Sequence, residues 1–567
     1  MEQRLAECSP DELRTILRAM ARATSPAERQ RFLDQLQVVE EATPAAQSVL
    51  QQEELLADID DFLHEFQEAM KRADDWEERH GWGGYDEEDS LGPYAEFVEP
   101  LAGLFDQIAA TFDYGNLTLA RAAYEKLFGV SDLEDDYGRG IGAEDLESVE
   151  VREACARYLR AVYETMPLPH RPQALFEQMQ QAQGWLPSPR PMLEEVIQIS
   201  PRPLPDQDQF LSDWIAFLRK QTGRDADTWL REAIRLSQGT PGLEELAQAE
   251  GKQRPRAYLD WFAALEREGK QREILAGAQE ALQSLPCQLP IRAAVADYLC
   301  AAARRLNEAG ALGAGRWEAF VAKPSLVRLL DLWDAAPTRK ERTGQMRRAA
   351  QRVKDYLAHA PRGFMEAWED DLEGPAWSNK SVLAHAYLLA EDWDAAHQLA
   401  ADEQVLGWSG SDNAQGLVVS CFLVGISGKL PDQLPQNLTQ LWQWGLQNSI
   451  GFADGANHAE ANLVKRLESI YVECLFRVPL SSSKQVEFLS WCLEIAKLRV
   501  NSIVSNQHRG SYDKAAVLIA GCAEVLRLGR RDQEAEAMLE DVRLDFPRHR
   551  AFQAELKTAV QRMGLSL

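Results

Sequence analysis

The chain has 567 residues and a net charge of −28, so it is longer than one hydrophobic core supports and too acidic for its surface as a whole to attract nucleic acid. An apolar share of 45%, a charged share of 26% and 15 Trp residues exclude a mainly disordered chain. The length therefore predicts several domains or an extended array of repeats.

The eight Cys residues are scattered singly, with neither a CxxC pair nor the Cys/His spacing of a zinc site. We expect reduced cysteines that pack as small apolar side chains, and we expect no metal and no cofactor. The polar N-terminal stretch MEQRLAECSPDELR lacks the apolar core of a signal peptide, and the sequence has no run of 18 apolar residues. These features predict a soluble cytoplasmic protein that does not bind membranes.

The predicted elements are helices from the first residues onward. One helix begins at Ser9, with Glu12 in the capping-box position, and a second begins near Ser25. A long amphipathic helix is expected over 48–79, followed by an acidic loop rich in Gly and aromatic residues over 80–94. The segment 95–129 predicts a helical hairpin with its turn at Gly115, and an acidic turn over 131–148 precedes a helix over 150–165.

Pro-rich joints interrupt this pattern at 167–172 and 187–205, and the second is the predicted subdomain boundary. Helices recur over 206–360 and 381–400. Two loose connectors, 405–416 and 425–437, flank the apolar segment LVVSCFLVGI, which fits either a buried helix or a short strand. The sequence thus predicts an N-terminal helical region with acidic loops (1–186), a central helical block (187–404), flexible connectors (405–437) and a C-terminal helical block (438–567).

Four predicted helix pairs share a turn residue, small or aromatic packing residues or a closing proline. The matching positions are Gly115, Ala120 and Tyr124; Gly269, Ala281 and Pro286; Leu383, Ala384, Tyr387 and Ala396; and Ala535, Leu539, Val542 and Pro547. At these positions the chain resembles the tetratricopeptide repeat (TPR) family, over roughly a quarter of its length. The resemblance implies stacked antiparallel helix pairs. Since the units are irregularly spaced, we expect an all-α protein, an irregular TPR-like α-solenoid in two or three blocks.

The order of motifs is also similar to the helical region of bacterial SWIM zinc-finger proteins. The segments that carry this similarity are GNLTLARAAYEKLF (115–128), DLEDDYG (132–138), VREACARYLRAVYETMPLPHRPQALFEQM (151–179) and DFPRHRAFQAEL (545–556). This chain has no CxC followed by CxH, so the metal-binding part of that family is missing. The similarity implies a bacterial accessory protein.

Two acidic patterns could suggest a metal site. Asp60, His64 and Glu68 share one helix face, and Glu77-x-x-His80 has a spacing used by di-iron helical bundles. Such bundles need two Glu-x-x-His helices, and this sequence has one. A solvated acidic helix face is therefore the favoured interpretation.

The acidic, Gly-rich segment 132–144 is not an EF-hand, because Tyr137 stands at the required glycine position and Ala143 at the bidentate glutamate. GWSGS at 407–411 and GISGK at 425–429 fit neither a nucleophile elbow nor a P-loop. His385 and His397 are interpreted as structural histidines. Trp442 and Trp444 are expected to lie one in the core and the other at the surface.

The run RKERTGQMRRAAQRVK, 339–354, carries seven basic residues and one acidic residue, against the overall charge of the chain. A solvated helix face is the ordinary interpretation of such a run. The alternative is a docking site for an acidic segment of a partner or of the chain's own N-terminal region. The candidate contact residues are Arg339, Arg342, Arg347, Arg348 and Arg352.

The leading hypothesis is a non-catalytic protein–protein interaction scaffold or adaptor that regulates a partner protein, which it would hold as an extended peptide or a helix in a concave groove. The alternative is a regulatory or proteolytically processed component of a bacterial defence system, antiviral defence included, or of a stress response. Its candidate processing loops contain Gly407, Ser409, Gly428 and Lys429. An enzyme of unrecognised type and a nucleic-acid-binding protein rank lower.

Overall fold

A computed structural model describes residues 44–72, 91, 94–135, 139–182, 191–287, 289–359, 379–450, 457–475 and 480–565. The helices predicted from Ser9 and near Ser25, and the pair Glu77 and His80, lie outside these residues. Across the described residues every regular element is a helix, which confirms the all-α class. The chain divides into two compact units between Ala249 and Glu250.

The first unit is built from eight helices within the described ranges. They are α1 Pro44–Lys71, α2 Ala95–Asp113, α3 Leu117–Phe128, α4 Val151–Thr165, α5 Arg171–Gln181, α6 Leu193–Gln198, α7 Gln207–Leu218 and α8 Arg224–Glu250, whose last residue is the first of the second unit. The α2–α3 pair is the first predicted hairpin. Gly115 takes a φ of +91° at its turn, a conformation that glycine adopts without steric cost, and Asn116 caps α3.

The predicted subdomain boundary at 187–205 has its described part, 191–205, inside the first unit. Arg160 of α4 is fully buried and donates to the carbonyl oxygens of Arg202 and Pro203, both at 3.0 Å. Tyr163 donates to the carbonyl of Pro205 at 2.6 Å. Prolines prevent this stretch from forming a regular element, so its backbone carbonyls need other hydrogen-bond donors. The side chains of α4 supply these donors and hold the Pro-rich stretch against the helix.

The remaining fifteen helices of the described chain form the second unit. They are α9 Arg256–Arg267, α10 Gln271–Ser284, α11 Arg292–Leu306, α12 Ala309–Ala322, α13 Leu326–Ala335, α14 Arg339–His359, α15 Lys380–Leu389, α16 Trp393–Ala401, α17 Gln415–Ser427, α18 Gln436–Asn448, α19 Asn457–Leu475, α20 Ser482–Ser505, α21 Tyr512–Leu528, α22 Asp532–Asp545 and α23 Arg550–Arg562. Each helix from α9 to α17 packs against the next one in the chain.

Small residues allow this close packing of successive helices. Gly277 of α10 lies so close to α9 that a Cβ there would stand 2.7 Å from the ring of Trp261. The predicted pair over 381–400 is formed by α15 and α16, with Ala384 and Ala396 both fully buried. The turn at Gly269 has a φ of +73°. The small residues and the turn glycine of the repeat pattern therefore have a direct physical reason in the fold.

The C-terminal part of the second unit is organised around one central helix. Every residue of α21 from Ala515 to Leu526 is buried, and α21 packs against α17, α18, α20, α22 and α23. A helix that is buried on all sides needs neighbours on all sides. This arrangement is a bundle around α21, and it differs from the nearest-neighbour stacking of a solenoid.

The segment 417–426, for which the sequence allowed a helix or a strand, is helix α17, and its residues from Gln415 to Val424 are all buried. One continuous apolar core runs from Phe320 to Val560, and α17 is part of it. The span 405–437 predicted as connectors therefore contains a core helix. Within the part of the chain that the structure describes, none of the helices is both long enough and apolar enough to cross a bilayer.

Candidate functional site

The basic run 339–354 forms most of helix α14. Its start is a capping box, in which the Glu341 carboxylate accepts from the backbone N–H of Thr338 at 3.2 Å and the Thr338 hydroxyl accepts from the N–H of Glu341 at 3.3 Å. Met346, Ala350 and Val353 are buried on one side of the helix. Apolar residues three and four positions apart therefore form the core-facing side of α14. The basic residues lie on the other sides of the helix.

Two of the predicted contact residues make ion pairs with other parts of the same unit. Arg339 forms a bidentate pair with Glu391, at 2.7 and 2.6 Å. Arg342 donates to Glu473 at 2.8 Å, and its guanidinium lies 5.2 Å from the centre of the Trp333 ring. Both arginines are therefore engaged in holding the fold together.

Two further predicted arginines also contact their own unit. Arg352 donates twice to the carbonyl oxygen of Val321, at 2.9 and 2.6 Å. The guanidinium of Arg348 lies 4.1 Å from the centre of the Trp317 ring, a cation–π contact. Arg352 thereby fixes the end of α12 against α14.

Arg347 differs from the other four, because its exposed side chain makes no hydrogen bond, ion pair or cation–π contact with the described residues. Lys340 and Lys354, seven residues before and after it, share this property. Seven residues are close to two helical turns, so the three cations lie along one line on α14. We call Lys340, Arg347 and Lys354 the basic stripe.

The first candidate processing loop contains Gly407 and Ser409. Side-chain hydrogen bonds on both sides of these residues hold the loop in place. Asn413 donates to the carbonyls of Gln404 and Leu406, at 2.7 and 2.8 Å. Trp408 is 9% exposed and donates from its ring nitrogen to buried Gln415 at 3.2 Å. Within this framework Gly407, with a φ of +85°, and Ser409 are exposed.

The second candidate loop contains Gly428 and Lys429. Gly428 ends α17 in the left-handed conformation, with a φ of +65°, and is a C-terminal cap. Residues 428–430 are all exposed. The Lys429 side chain extends from a turn held by the Ser427 hydroxyl, which accepts from the Lys429 backbone N–H at 3.2 Å.

A cavity of about 220 Å³ lies beside the first loop, between α17, α18, α20 and the start of α21. Its wall includes aromatic, basic and hydroxyl side chains, among them Trp408, Trp444, Arg499, His508, Ser511 and Lys514. No Asp or Glu belongs to this wall, as far as the structure describes it. The cavity is therefore a cationic site in a protein of net charge −28.

Arg499 is the central cation of this cavity. Its side chain is 6% exposed, lies 4.1 Å from the centre of the Trp408 ring and donates to the carbonyl of Val405. Burial lowers the pKa of Arg499 to about 10, and no carboxylate in the described part of the chain offsets this effect. A buried guanidinium without a counter-charge is costly, so an anion in the cavity would be stabilised by it.

A buried polar network lies behind the cavity wall, around His385. The His385 ring bonds to the Tyr471 hydroxyl through Nδ1 at 2.7 Å and to the Ser449 hydroxyl through Nε2 at 2.9 Å. The Ser449 hydroxyl donates to the carbonyl of Leu446 at 2.6 Å, so its oxygen accepts from Nε2–H and the Tyr471 hydroxyl donates to Nδ1. In this arrangement His385 is the donor to Ser449 and does not activate it as a base.

The other candidates from the sequence occupy structural positions. Asp60 pairs with Lys126, Glu68 pairs with Lys71 at 2.7 Å, and His64 is exposed. His397 is partly buried against aromatic rings. The described part of the acidic segment 132–144 is organised by a carboxylate. Trp442 is buried and Trp444 partly buried, where the sequence predicted one core and one surface residue.

The carboxylate of that acidic segment is Asp135. It accepts from the Tyr94 hydroxyl at 2.8 Å and from the backbone N–H of Arg139 at 2.9 Å. Its side chain also forms an ion pair with Arg139 at 2.9 Å. Asp135 therefore serves the fold of the first unit. Among the described residues, no group of three or more His, Cys, Asp or Glu side chains is placed to hold a metal ion.

The cavity residues were missed by sequence reasoning, although a signal for one of them was present. Arg499 lies at an apolar repeat position of α20, three residues after Ala496 and four before Ile503, both of which are buried. A charged residue at a core position of a helix is uncommon, and such residues are found where the charge has a partner or lies at a functional site. Trp408 and Lys514 are distant in sequence from Arg499, and only the packing of α17, α20 and α21 brings them together.

Comparison with protein-family models gave no match, and none of the curated proteins is detectably similar to this chain.

Proposed function

We propose that this protein is a non-catalytic helical-repeat scaffold, TPR-like in its packing, that binds an acidic segment of a partner protein along the basic stripe of α14. The observation that carries this proposal is the stripe itself: Lys340, Arg347 and Lys354 are exposed, aligned and without an ionic partner among the described residues. The neighbouring arginines of the same helix are engaged with their own unit. The stripe is thus the part of the basic run that is available to a partner.

The spacing of the stripe defines the partner. Seven residues of α-helix rise about 10.5 Å, so the three cations span about 21 Å. A peptide in the polyproline II conformation advances about 3.1 Å per residue with three residues per turn, so acidic residues three positions apart lie on one side of it at about 9.3 Å, close to this spacing. The proposed partner segment therefore carries three acidic residues at every third position of an extended chain.

The charge of the rest of the protein makes this contact selective. At physiological ionic strength the Debye length is about 8 Å, so distant carboxylates are screened while charges in direct contact still interact. An acidic peptide is repelled by the general surface of a chain with net charge −28 and attracted at the stripe. Such a contact adds orientation and speed of association more than raw affinity.

The test uses a fluorescein-labelled peptide with Glu at every third position in a Gly/Ser background, titrated with the full-length protein and followed by fluorescence anisotropy. We expect saturable binding that weakens as salt rises. The variant with Lys340, Arg347 and Lys354 all changed to Glu is expected to lose binding by at least about tenfold, which corresponds to about 1.4 kcal/mol.

A matched control separates the stripe from a general effect of charge. Lys429, Lys497 and Lys557 are exposed in the same unit, and their change to Glu alters the net charge by the same six units. This control variant is expected to bind the peptide with only a small loss. Equal losses in the two triple variants, or no binding by the unaltered protein, would contradict the proposal.

A second candidate function is a regulatory or processed component of a bacterial defence or stress-response system. The observation that favours it is the exposed segment 428–430, where Gly428 ends α17 and Lys429 and Leu430 face solvent. Limited proteolysis with trypsin tests whether this segment is accessible. Early cleavage after Lys429 supports the candidate, and cleavage confined to other sites removes it.

A further inference from the structure

We propose that the cavity around Arg499 is a binding site for a small phosphate-bearing compound. This inference is independent of the basic stripe, because its observations concern other helices. The described residues of the cavity wall include Arg499 and Lys514 and no carboxylate. Asp412 and Asp513 are adjacent in sequence to residues of the wall, but both are exposed and neither is part of the wall.

Arg499 is a buried cation at the wall of the cavity. The guanidinium carries a permanent charge and is nine-tenths or more buried, yet its hydrogen bond goes to a neutral carbonyl, that of Val405, and its face lies on the Trp408 ring. An isolated charge is expelled from a protein interior unless an opposite charge or strong hydrogen bonds compensate it. An anion that enters the cavity supplies this compensation.

The charge and the number of donors select the class of anion. Two fixed cations match a phosphate monoester, which carries a charge of about −1.5 to −2 at neutral pH, better than a monocarboxylate of charge −1. The guanidinium presents a planar fork of N–H donors that suits phosphate oxygens, and Lys514 adds a point charge. Ser511 contributes a hydroxyl beside Lys514 in the same wall.

The N-termini of α17 and α21 beside the cavity also favour the binding of an anion. Ser511 is the residue before α21 and Lys514 lies in its first turn, and Gly416 and Leu417 belong to the first turn of α17. Helix N-termini attract anions. The last turn of α18 also borders the cavity, and within that turn the Leu446 carbonyl accepts from the Ser449 hydroxyl.

The size and the aromatic wall limit the rest of the ligand. A cavity of about 220 Å³ holds a compact molecule and is too small for a dinucleotide. Trp444 is partly buried in the wall and offers an apolar face to the organic part of a phosphate ester. A small phosphorylated metabolite with a planar or apolar body therefore fits the site.

The experiment measures binding of two probes, inorganic phosphate and phenyl phosphate, to the full-length protein by isothermal titration calorimetry at constant ionic strength with chloride as the balancing anion. We expect one site per chain, with phenyl phosphate the tighter ligand. The variant Lys514→Gln is expected to bind phenyl phosphate at least tenfold more weakly, and Arg499→Gln is expected to show no measurable binding.

Controls separate this site from nonspecific charge and from misfolding. Lys497→Gln, an exposed change on the same helix two residues from Arg499, should leave affinity unchanged, as should the triple change in the basic stripe. Because Arg499→Gln can disturb the fold, Lys514→Gln carries the test if the melting temperature of the Arg499 variant falls. No saturable binding of either probe at 10 mM, or equal binding by the unaltered protein and Lys514→Gln, would overturn the proposal.

Discussion

Replacing His385 by Gln removes a titrating group from the core of the second unit. The imidazole is fully buried and is bonded on both sides, to Tyr471 and to Ser449. Burial lowers the pKa of His385 from 6.5 to about 3. The ring therefore stays neutral in the folded protein at any pH at which the protein is normally handled.

The sign of the pH dependence follows from this shift. Below pH 6.5 the unfolded chain binds a proton at this histidine and the folded chain does not, so acidification favours the unfolded state. The loss begins near pH 6.5 and continues until the pH approaches 3. At pH 5.5 the cost is about 1.4 kcal/mol relative to pH 7.5, since one pH unit below the unfolded pKa corresponds to one tenfold change in the proton-binding equilibrium.

Urea denaturation at pH 7.5, 6.5 and 5.5 measures this effect through the free energy of unfolding of the second unit. We expect the unaltered protein to lose about 1.4 kcal/mol more than His385→Gln between pH 7.5 and 5.5, although the variant starts from a lower stability. His359→Gln, a change of an exposed histidine in α14, is the control and should keep the pH dependence of the unaltered protein. Parallel pH profiles for the unaltered protein and His385→Gln would show that His385 does not stay neutral in the folded protein.

Two further predictions concern helix packing and the basic run. Gly277→Ala places a methyl group 2.7 Å from the Trp261 ring and is expected to lower the free energy of unfolding by about 1–3 kcal/mol. Gly344→Ala meets open space in α14 and should raise the free energy of unfolding by about 0.5–1 kcal/mol. Urea denaturation measures both variants, and equal effects would contradict the close packing of α9 and α10. Arg342→Gln breaks a contact to another helix and should lower the melting temperature, while Arg347→Gln should leave it unchanged; a thermal melt that reverses this order would show that the two roles are assigned wrongly.

Local patterns in the sequence predict a large part of this fold. The glycines at 115 and 269 stand at turns with positive φ, and the small residues Ala384 and Ala396 lie where two helices touch. These features depend on residues close together in the chain, so the sequence carries them directly. The all-α class follows from the same periodicity.

The central position of α21 and the roles of the arginines could not be predicted in this way. Arg342 meets Glu473 across 131 positions of sequence, and the cavity joins Trp408 to Lys514. Such contacts depend on how the helices pack, which a pattern of local spacing does not specify. For the same reason, the sequence pattern does not distinguish the four arginines of the basic run that contact their own unit from the exposed residues Lys340, Arg347 and Lys354.

The proposed function requires that the basic stripe of α14 binds an acidic partner segment. Anisotropy titration of the labelled Glu-containing peptide against the unaltered protein, the stripe variant and the matched Lys429, Lys497 and Lys557 variant measures this binding. We expect binding by the unaltered protein and the matched variant and a loss of at least about tenfold in the stripe variant. Equal binding by all three proteins would contradict it.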